Sequence, residues 1–170
     1  MQKRMVVLKR DNEYVAGVFS PLGLFQCSIP RKSRDEAIDA VKGANIPIHS
    51  NPDDLTILEL IFDMIEGKNV PNTSIPYDFS NLTEKQIDVL KATLEIPKGE
   101  TRTYGEVAAN AKIPNAARFV GNVMAKNRFA PLIPCHRVVS SNGIGGYLGG
   151  YGEGIAKKEA LLKREGAFAD

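Results

Sequence analysis

Tryptophan is absent from this 170-residue chain, and it has only two cysteines and two histidines. Beyond the adjacent Cys135 and His136, Cys27 and His49 are the only other soft ligands, so a structural zinc site would have to consume all four, and no metal is expected. The chain also lacks a run of about 18 apolar residues, the least a membrane-spanning helix needs. Its opening, MQKRMVVLKRDNE, alternates charged and apolar residues too early for a secretory signal. The expectation is a cytoplasmic protein with no membrane partner. Cys27 and Cys135 could pair once, but two cysteines in this context do not make a disulfide scaffold. What is present, 43% hydrophobic and 25% charged residues, suits a globular fold of one domain or two small ones.

The net charge of +2 conceals an asymmetry. Residues 1–78 carry 9 Lys+Arg against 11 Asp+Glu, net −2, and residues 79–170 carry 13 against 9, net +4. Within 102–137 the cations Arg102, Lys112, Arg118, Lys126, Arg128 and Arg137 meet only Glu106. Such a segment suits a phosphate-rich partner, because each neutralised phosphate releases counterions; a solvated basic face is the plain alternative.

Cys135 stands in Ile133-Pro134-Cys135-His136-Arg137-Val138-Val139, beside a histidine and an arginine. A thiolate, not a thiol, attacks, and nearby positive charge favours it. The competing reading is a buried structural cysteine.

Strand patterning opens the chain: MVVLKR, EYVAGVF and LGLFQCSI, separated by Asp11-Asn12 and Ser20-Pro21, predict a three-stranded antiparallel meander. Ser33 and Glu36 predict a helix ending near Gly43–Asn45, and Asn51-Pro52 with the Leu55, Leu58, Ile61, Phe62, Ile65 stripe predicts a second that Gly67 stops. The stretch GKNVPNTSIPYDFS over 67–80 has no period and reads as a linker. Two domains are therefore expected, 1–78 and 79–170. In the second, Thr83 with Gln86 and Thr103 with Glu106 form capping boxes, Asn115 can cap a helix over 116–126, and GIAKKEALLKREG ends at Gly166. The short helix after Thr103 and the next one make a helix-turn-helix candidate or simply a packing unit. Ala116, Ala117 and Gly121 leave that second helix thin enough for a groove, and Arg118 stands near its start. The glycine-rich stretch 141–152 lacks the Lys-Ser/Thr ending of a phosphate loop and the dinucleotide pattern, so no nucleotide cofactor is expected.

Together Pro134-Cys135-His136-Arg137, Gly99-Glu100 with Tyr104, Asn115-Ala116-Ala117-Arg118, Asn127, Gly146-Tyr147 and Glu159-Ala160-Leu161-Leu162 with Glu165-Gly166 resemble the O6-alkylguanine-DNA alkyltransferase family. The resemblance is strong from about Leu82 to Gly166 and weak over 1–78. It implies an α+β protein: an N-terminal ribonuclease H-like domain with a three-stranded antiparallel sheet and helices, then a mainly helical, winged-helix-like domain with the helix-turn-helix.

It further implies irreversible, stoichiometric transfer of an alkyl group from O6-alkylguanine in duplex DNA to the protein's own cysteine after nucleotide flipping, with O4-alkylthymine left open. Cys135 would accept the alkyl group. His136 would act as base through a water and Glu165 would orient it, while Tyr104 would donate a proton to guanine N3 and Asn127 would brace the turn around the cysteine. Arg118 would fill the stack, with Ala116, Ala117, Gly121, Arg102, Lys126 and Arg128 also on the DNA side. Met124, Pro131, Val138, Ser140, Tyr147 and Leu148 would line the base pocket. The implied partner is double-stranded DNA approached through the minor groove with little sequence specificity, by a monomer without cofactor. Leu148 and a long 149–154 loop depart from the family pattern and bear on which alkyl groups fit. A cysteine-dependent hydrolase and a non-catalytic helix-turn-helix DNA-binding protein are the rival functions.

Overall fold

The computed structural model describes residues 2–43, 45–143 and 155–167. Strands β1 (Arg4–Arg10), β2 (Glu13–Ser20) and β3 (Gly23–Cys27) form an antiparallel sheet in that order, with Val6 opposite Gly17 and Leu8 opposite Val15. Alternation sends Val6, Val15, Phe19 and Leu24 to one core and Met5, Ala16 and Val18 to another, where Ala37 and Val41 meet them. Helices therefore cover both faces of the sheet, α1 (Arg34–Ala40) on one and α2 (Pro52–Ile65) on the other.

Differences from the sequence expectation have local causes. The third strand stops at Cys27 rather than continuing to Ile29, although the Ser28 N–H still bonds the Ala16 carbonyl of β2; on its outer edge the Cys27 N–H bonds the Arg128 carbonyl. Helix α1 ends short of Gly43: Lys42 enters the left-handed region (φ 52), and the N–H groups of Lys42 and Gly43 fold back on the carbonyls of Asp39 and Ile38, a Schellman closure. The expected linker over 67–80 is pinned along its length. The Leu24 N–H donates to the Pro76 carbonyl and the Leu24 carbonyl accepts from the Asp78 N–H, and Asn72 donates to the Leu132 carbonyl at 2.8 Å.

Capping boxes open α3 (Glu84–Leu94) at Thr83/Gln86 and α4 (Tyr104–Asn110) at Thr103/Glu106, each with both reciprocal bonds made. Helix α5 (Ala117–Ala125) follows, and α6 (Ile155–Glu165) ends the described chain, with Gly166 left-handed at its end. Two short strands, β4 (Arg102–Thr103) and β5 (Val138–Val139), pair in parallel; two residues are too few for periodicity to reveal. The main core is continuous from β1 to α6, so that Val6, Phe19 and Leu58 share one cluster with Val107, Met124, Leu132 and Cys135.

Candidate active site

Cys135 begins a single 3-10 turn, Cys135–Arg137, wedged between Pro134 and β5. Its N–H bonds the Ile133 carbonyl at 2.8 Å, and the Arg137 N–H bonds that of Pro134 at 2.9 Å. All three side chains are drawn inside: Cys135 is 3% exposed, His136 0% and Arg137 3%. Neither Cys135 nor Cys27 is in a disulfide.

A buried carboxylate organises this corner. Glu165, the last residue of α6, takes His136 Nε2 at 3.0 Å and Arg137 Nε at 2.9 Å on one oxygen, and Arg137 Nη2 at 2.7 Å on the other. Arg137 also donates through Nη1 to the Ile96 carbonyl at 2.8 Å. A carboxylate at a helix C-terminus opposes the helix dipole, and the forked guanidinium offsets it with charge and fixed geometry. Burial on its own would raise the Glu165 carboxyl, but the hydrogen bonds from Arg137 and His136 outweigh it and hold the pKa at about 2. Burial pushes His136 down from its ordinary value, against the pull of Glu165 and with help from the charges of Arg137 and Lys158. The imidazole is therefore neutral at pH 7. To donate to Glu165 its Nε2 must carry the proton, which makes Nδ1 the proton-accepting nitrogen.

Two close approaches fix where Glu165 sits. Gly67 and Gly99 both have φ of +86, and a Cβ would come within 2.9 Å of the Arg164 carbonyl oxygen at the first and 3.3 Å of the Glu165 carbonyl oxygen at the second. Only glycine takes this backbone at such proximity without strain.

A second cation reaches the site that sequence reasoning passed over. Lys158 is 1% exposed; its Nζ donates to the Val138 carbonyl at 2.6 Å and lies 3.5 Å from the Tyr104 hydroxyl. Burial lowers its pKa to about 8, while the charge on Cys135 opposes the shift. Helical spacing held the clue. Lys158, Leu161, Leu162 and Glu165 occupy one stripe of α6, and a lysine on the apolar stripe of a helix must find a partner inside. Arg137 escapes sequence reasoning for another reason: in the chain it is one more cation of the basic 102–137 segment.

Around the turn, Asn127 is buried and spans the chain before Cys135, donating to the Ile133 carbonyl at 2.8 Å and accepting from the Phe129 N–H at 3.0 Å. Met124 is buried against Thr93, whose hydroxyl is 3.7 Å from its sulfur. Pro131, after a cis Ala130–Pro131 bond, and Val138 are buried. Ser140 is half-buried, its Oγ accepting from the Asn142 N–H at 3.2 Å. Tyr147 and Leu148 lie outside the described residues.

The expected DNA-facing set divides. Arg118 and Ala117 are exposed in the first turn of α5, with Ala116 half-buried before them. No side chain caps this helix: Asn115, expected to do so, sits one residue too early with φ 65, and Ala116 takes the cap position. Lys126 is exposed, and Arg102 pairs with Glu100 at 3.0 Å on a partly open surface. Two assignments need correction. Gly121 is buried beside Val120 and Met124, so its small size serves packing rather than a groove. Arg128 turns inward and donates to the carbonyls of Phe25, Asp78 and Ser80, because three carbonyl acceptors and the Phe25 ring meet it there. With Arg137 also internal, the basic segment presents fewer outward charges than its sequence implied.

Among the described residues, no three His, Cys, Asp or Glu side chains gather as metal ligands, and no helix is long and apolar enough to cross a membrane.

Residues 84–167 match the family model described as the DNA binding domain of 6-O-methylguanine DNA methyltransferase. The methylated-DNA–protein-cysteine methyltransferase of Methanocaldococcus jannaschii is 32% identical, the alignment covering 94% of this chain and 92% of that protein. Its counterpart from Methanosarcina acetivorans is 51% identical over 85 residues, 50% of this chain. The chain spans about half the length of that relative, 53%. Among solved structures, Mycobacterium tuberculosis OGT in complex with DNA superposes with a TM-score of 0.72 at 28% identity, over 96% of this chain and 93% of that one.

Proposed function

Because the chain belongs to the methylated-DNA–protein-cysteine methyltransferase family, we propose that it repairs duplex DNA by moving an alkyl group from O6 of guanine to Sγ of Cys135, once per molecule. In this reaction the S–C bond forms as the C–O6 bond breaks. The thiol proton passes through a water to Nδ1 of His136, which Glu165 holds in the required tautomer. Guanine would leave as an anion, and the Tyr104 phenol supplies a proton at N3. Lys158, within 3.5 Å of that phenol, stabilises developing phenolate and favours the thiolate of Cys135. The thioether product is inert to water, so the protein is consumed.

The observation that carries this reading is the buried Glu165 carboxylate, shared by His136 and Arg137 one turn from the only cysteine in the motif. A base is worth this much internal scaffolding only if its ring must point one way. Arg118 on the open first turn of α5 is the residue that enters the duplex from the minor groove and replaces the flipped nucleotide, whose removal costs a few kcal/mol. Lys126, Arg102 and the uncapped N–H groups of α5 hold phosphates. The solved DNA complex of the mycobacterial relative supports DNA as the partner. In this reading the protein is a cytoplasmic monomer, residues 1–78 form a ribonuclease H-like domain, and 79–170 form a winged-helix-like domain.

Intact-mass spectrometry after incubation with duplex containing O6-methylguanine tests it. One added methyl, mapped to Cys135 and absent in Cys135→Ala, is the expected result. Continued turnover on an ester or amide would indicate a thiol hydrolase, and sequence-specific binding with no adduct would indicate a DNA-binding regulator; either outcome sinks the proposal.

A further inference from the structure

The segment leading into Cys135 is held by the sheet half of the molecule through alternate residues. The carbonyl of Arg128 accepts from the Cys27 N–H at 2.9 Å, that of Ala130 from the Cys27 thiol at 3.3 Å, and that of Leu132 from Asn72 Nδ2 at 2.8 Å. The segment itself is a run of turns, closed by the Ile133 N–H on the Phe129 carbonyl at 3.2 Å, and it still presents these three carbonyls to the sheet half. Between these, Phe129 packs edge-on against Tyr77 and Phe79, with ring centroids 5.4 and 5.6 Å away. Asn127 fastens the opposite edge of the same segment.

Arg128 closes the arrangement from the other side. Its Nε donates to the Phe25 carbonyl at 2.7 Å, and Nη2 donates to the carbonyls of Asp78 and Ser80 at 2.8 and 2.9 Å. Its guanidinium lies 4.0 Å from the centre of the Phe25 ring. One side chain thus ties β3 to the 78–80 segment and both to the chain seven residues before the nucleophile. A planar fork with donors at fixed angles can do this, and lysine cannot.

We propose that Arg128 is a positioning residue, which with Asn72 and Cys27 makes residues 25–80 a mould that sets Cys135 against Lys158, His136 and Tyr104. This gives the N-terminal half a part in the chemistry without a contact to DNA or base. It rests on Cys135 being the alkyl acceptor. The mould matters because a displacement of about 1 Å in a reacting group can cost on the order of a hundredfold in rate.

The test compares Arg128→Met, Arg128→Lys and Asn72→Ala with the parent protein in four measurements: alkyl transfer from free O6-benzylguanine, the pH profile of Cys135 alkylation by iodoacetamide, affinity for undamaged duplex, and thermal unfolding. The Cys135 thiol interacts electrostatically with Lys158, which lies 3.5 Å from the Tyr104 hydroxyl, and the adjacent His136 is held with Arg137 on Glu165, so a shifted turn changes the charge it feels. Arg128→Met is expected to lower transfer from the free base by roughly ten- to a hundredfold and to move the iodoacetamide profile to higher pH. Duplex affinity should stay within about twofold, and Arg128→Lys should recover part of the rate.

A purely structural role would lower the unfolding temperature but leave the profile of the folded protein unmoved, and that result overturns the proposal. A loss of duplex affinity with normal reaction on the free base overturns it too, since Arg128 would then be a DNA contact. Where Arg128→Met does not fold, Asn72→Ala decides by the same profile. Should the parent transfer no alkyl group, the functional reading fails, while the iodoacetamide profiles still decide whether Arg128 positions Cys135.

Discussion

The corner around Cys135 and the first turn of α5 are both candidate working surfaces, yet they are built in opposite ways. In the corner, Cys135, His136, Arg137, Lys158 and Glu165 are each no more than 5% exposed, and Glu165 alone accepts three hydrogen bonds. At α5, Arg118 stands in water and its helix begins without a side-chain cap. Groups that must hold a proton in one place are set before substrate arrives, and dry surroundings strengthen their mutual fields. Groups that meet a charged, variable polymer are left hydrated and adjustable.

Glu165→Gln attacks this contrast hardest. It leaves the Arg137 guanidinium buried against a neutral amide, so unfolding in urea should show a loss of about 3–5 kcal/mol, and alkyl transfer should fall by on the order of a hundredfold as His136 loses its orienting charge. A change in rate without a change in stability would mean that the carboxylate is not the keystone of the corner. Arg118→Ala should show the reverse pattern. Reaction with duplex should drop about tenfold or more, reaction with free O6-benzylguanine should stay as it was, and stability should move by no more than about 0.5 kcal/mol. Equal losses on both substrates would assign Arg118 to the fold.

Lys158→Met, which keeps the stem and removes the ammonium, should slow transfer about tenfold at pH 7. In the parent protein the rate should decline as the pH rises through about 8, where Lys158 loses its charge, and this decline should vanish in the variant. Stability should respond to acid as well. The folded state keeps His136 neutral below its ordinary value of 6.5, so the unfolded chain binds more protons there and stability falls as pH drops below about 6.5. It falls further below 4.5, where Glu165, held at about 2 in the fold, takes up a proton only in the unfolded chain. Thermal scans from pH 7 to pH 3 would check both steps. The smallest effect belongs to Lys126→Ala, which should weaken duplex binding about equally for any sequence and reduce its salt slope by about 1.

How far these regions could be read from the chain differs too. Capping boxes at Thr83 and Thr103, Pro52 after Asn51 and the alternation of β1 to β3 are local rules, and the structure follows them. The Pro134-Cys135-His136-Arg137 motif and Glu165 were visible as candidates. Burial was not. Arg128 and Arg137 are cations like any others in the sequence, and what turns them inward is the placement of distant carbonyls at Phe25, Asp78, Ser80 and Ile96. Gly121 suggests a thin surface by its size alone, while Val120 and Met124 on the same stripe mark that side of α5 as internal. The linker over 67–80 shows no periodicity because its order comes from one short 3-10 turn and irregular local bonds together with bonds to β3 and Leu132, none of which repeats along the chain.

Gly67 and Gly99, pressed against the last carbonyls of α6, bear on how variation in this protein should be interpreted. A serine at either place would look harmless on a map of the reaction, since neither glycine carries a functional group. Yet the added carbon would push on the helix end that carries Glu165, and the imidazole would follow. If the proposed reaction holds, a genetic screen for failed repair would return hits in two turns remote from the nucleophile in sequence, and they would behave as weakened bases rather than as unfolded protein. Sorting such alleles by distance along the chain would put them in the wrong class.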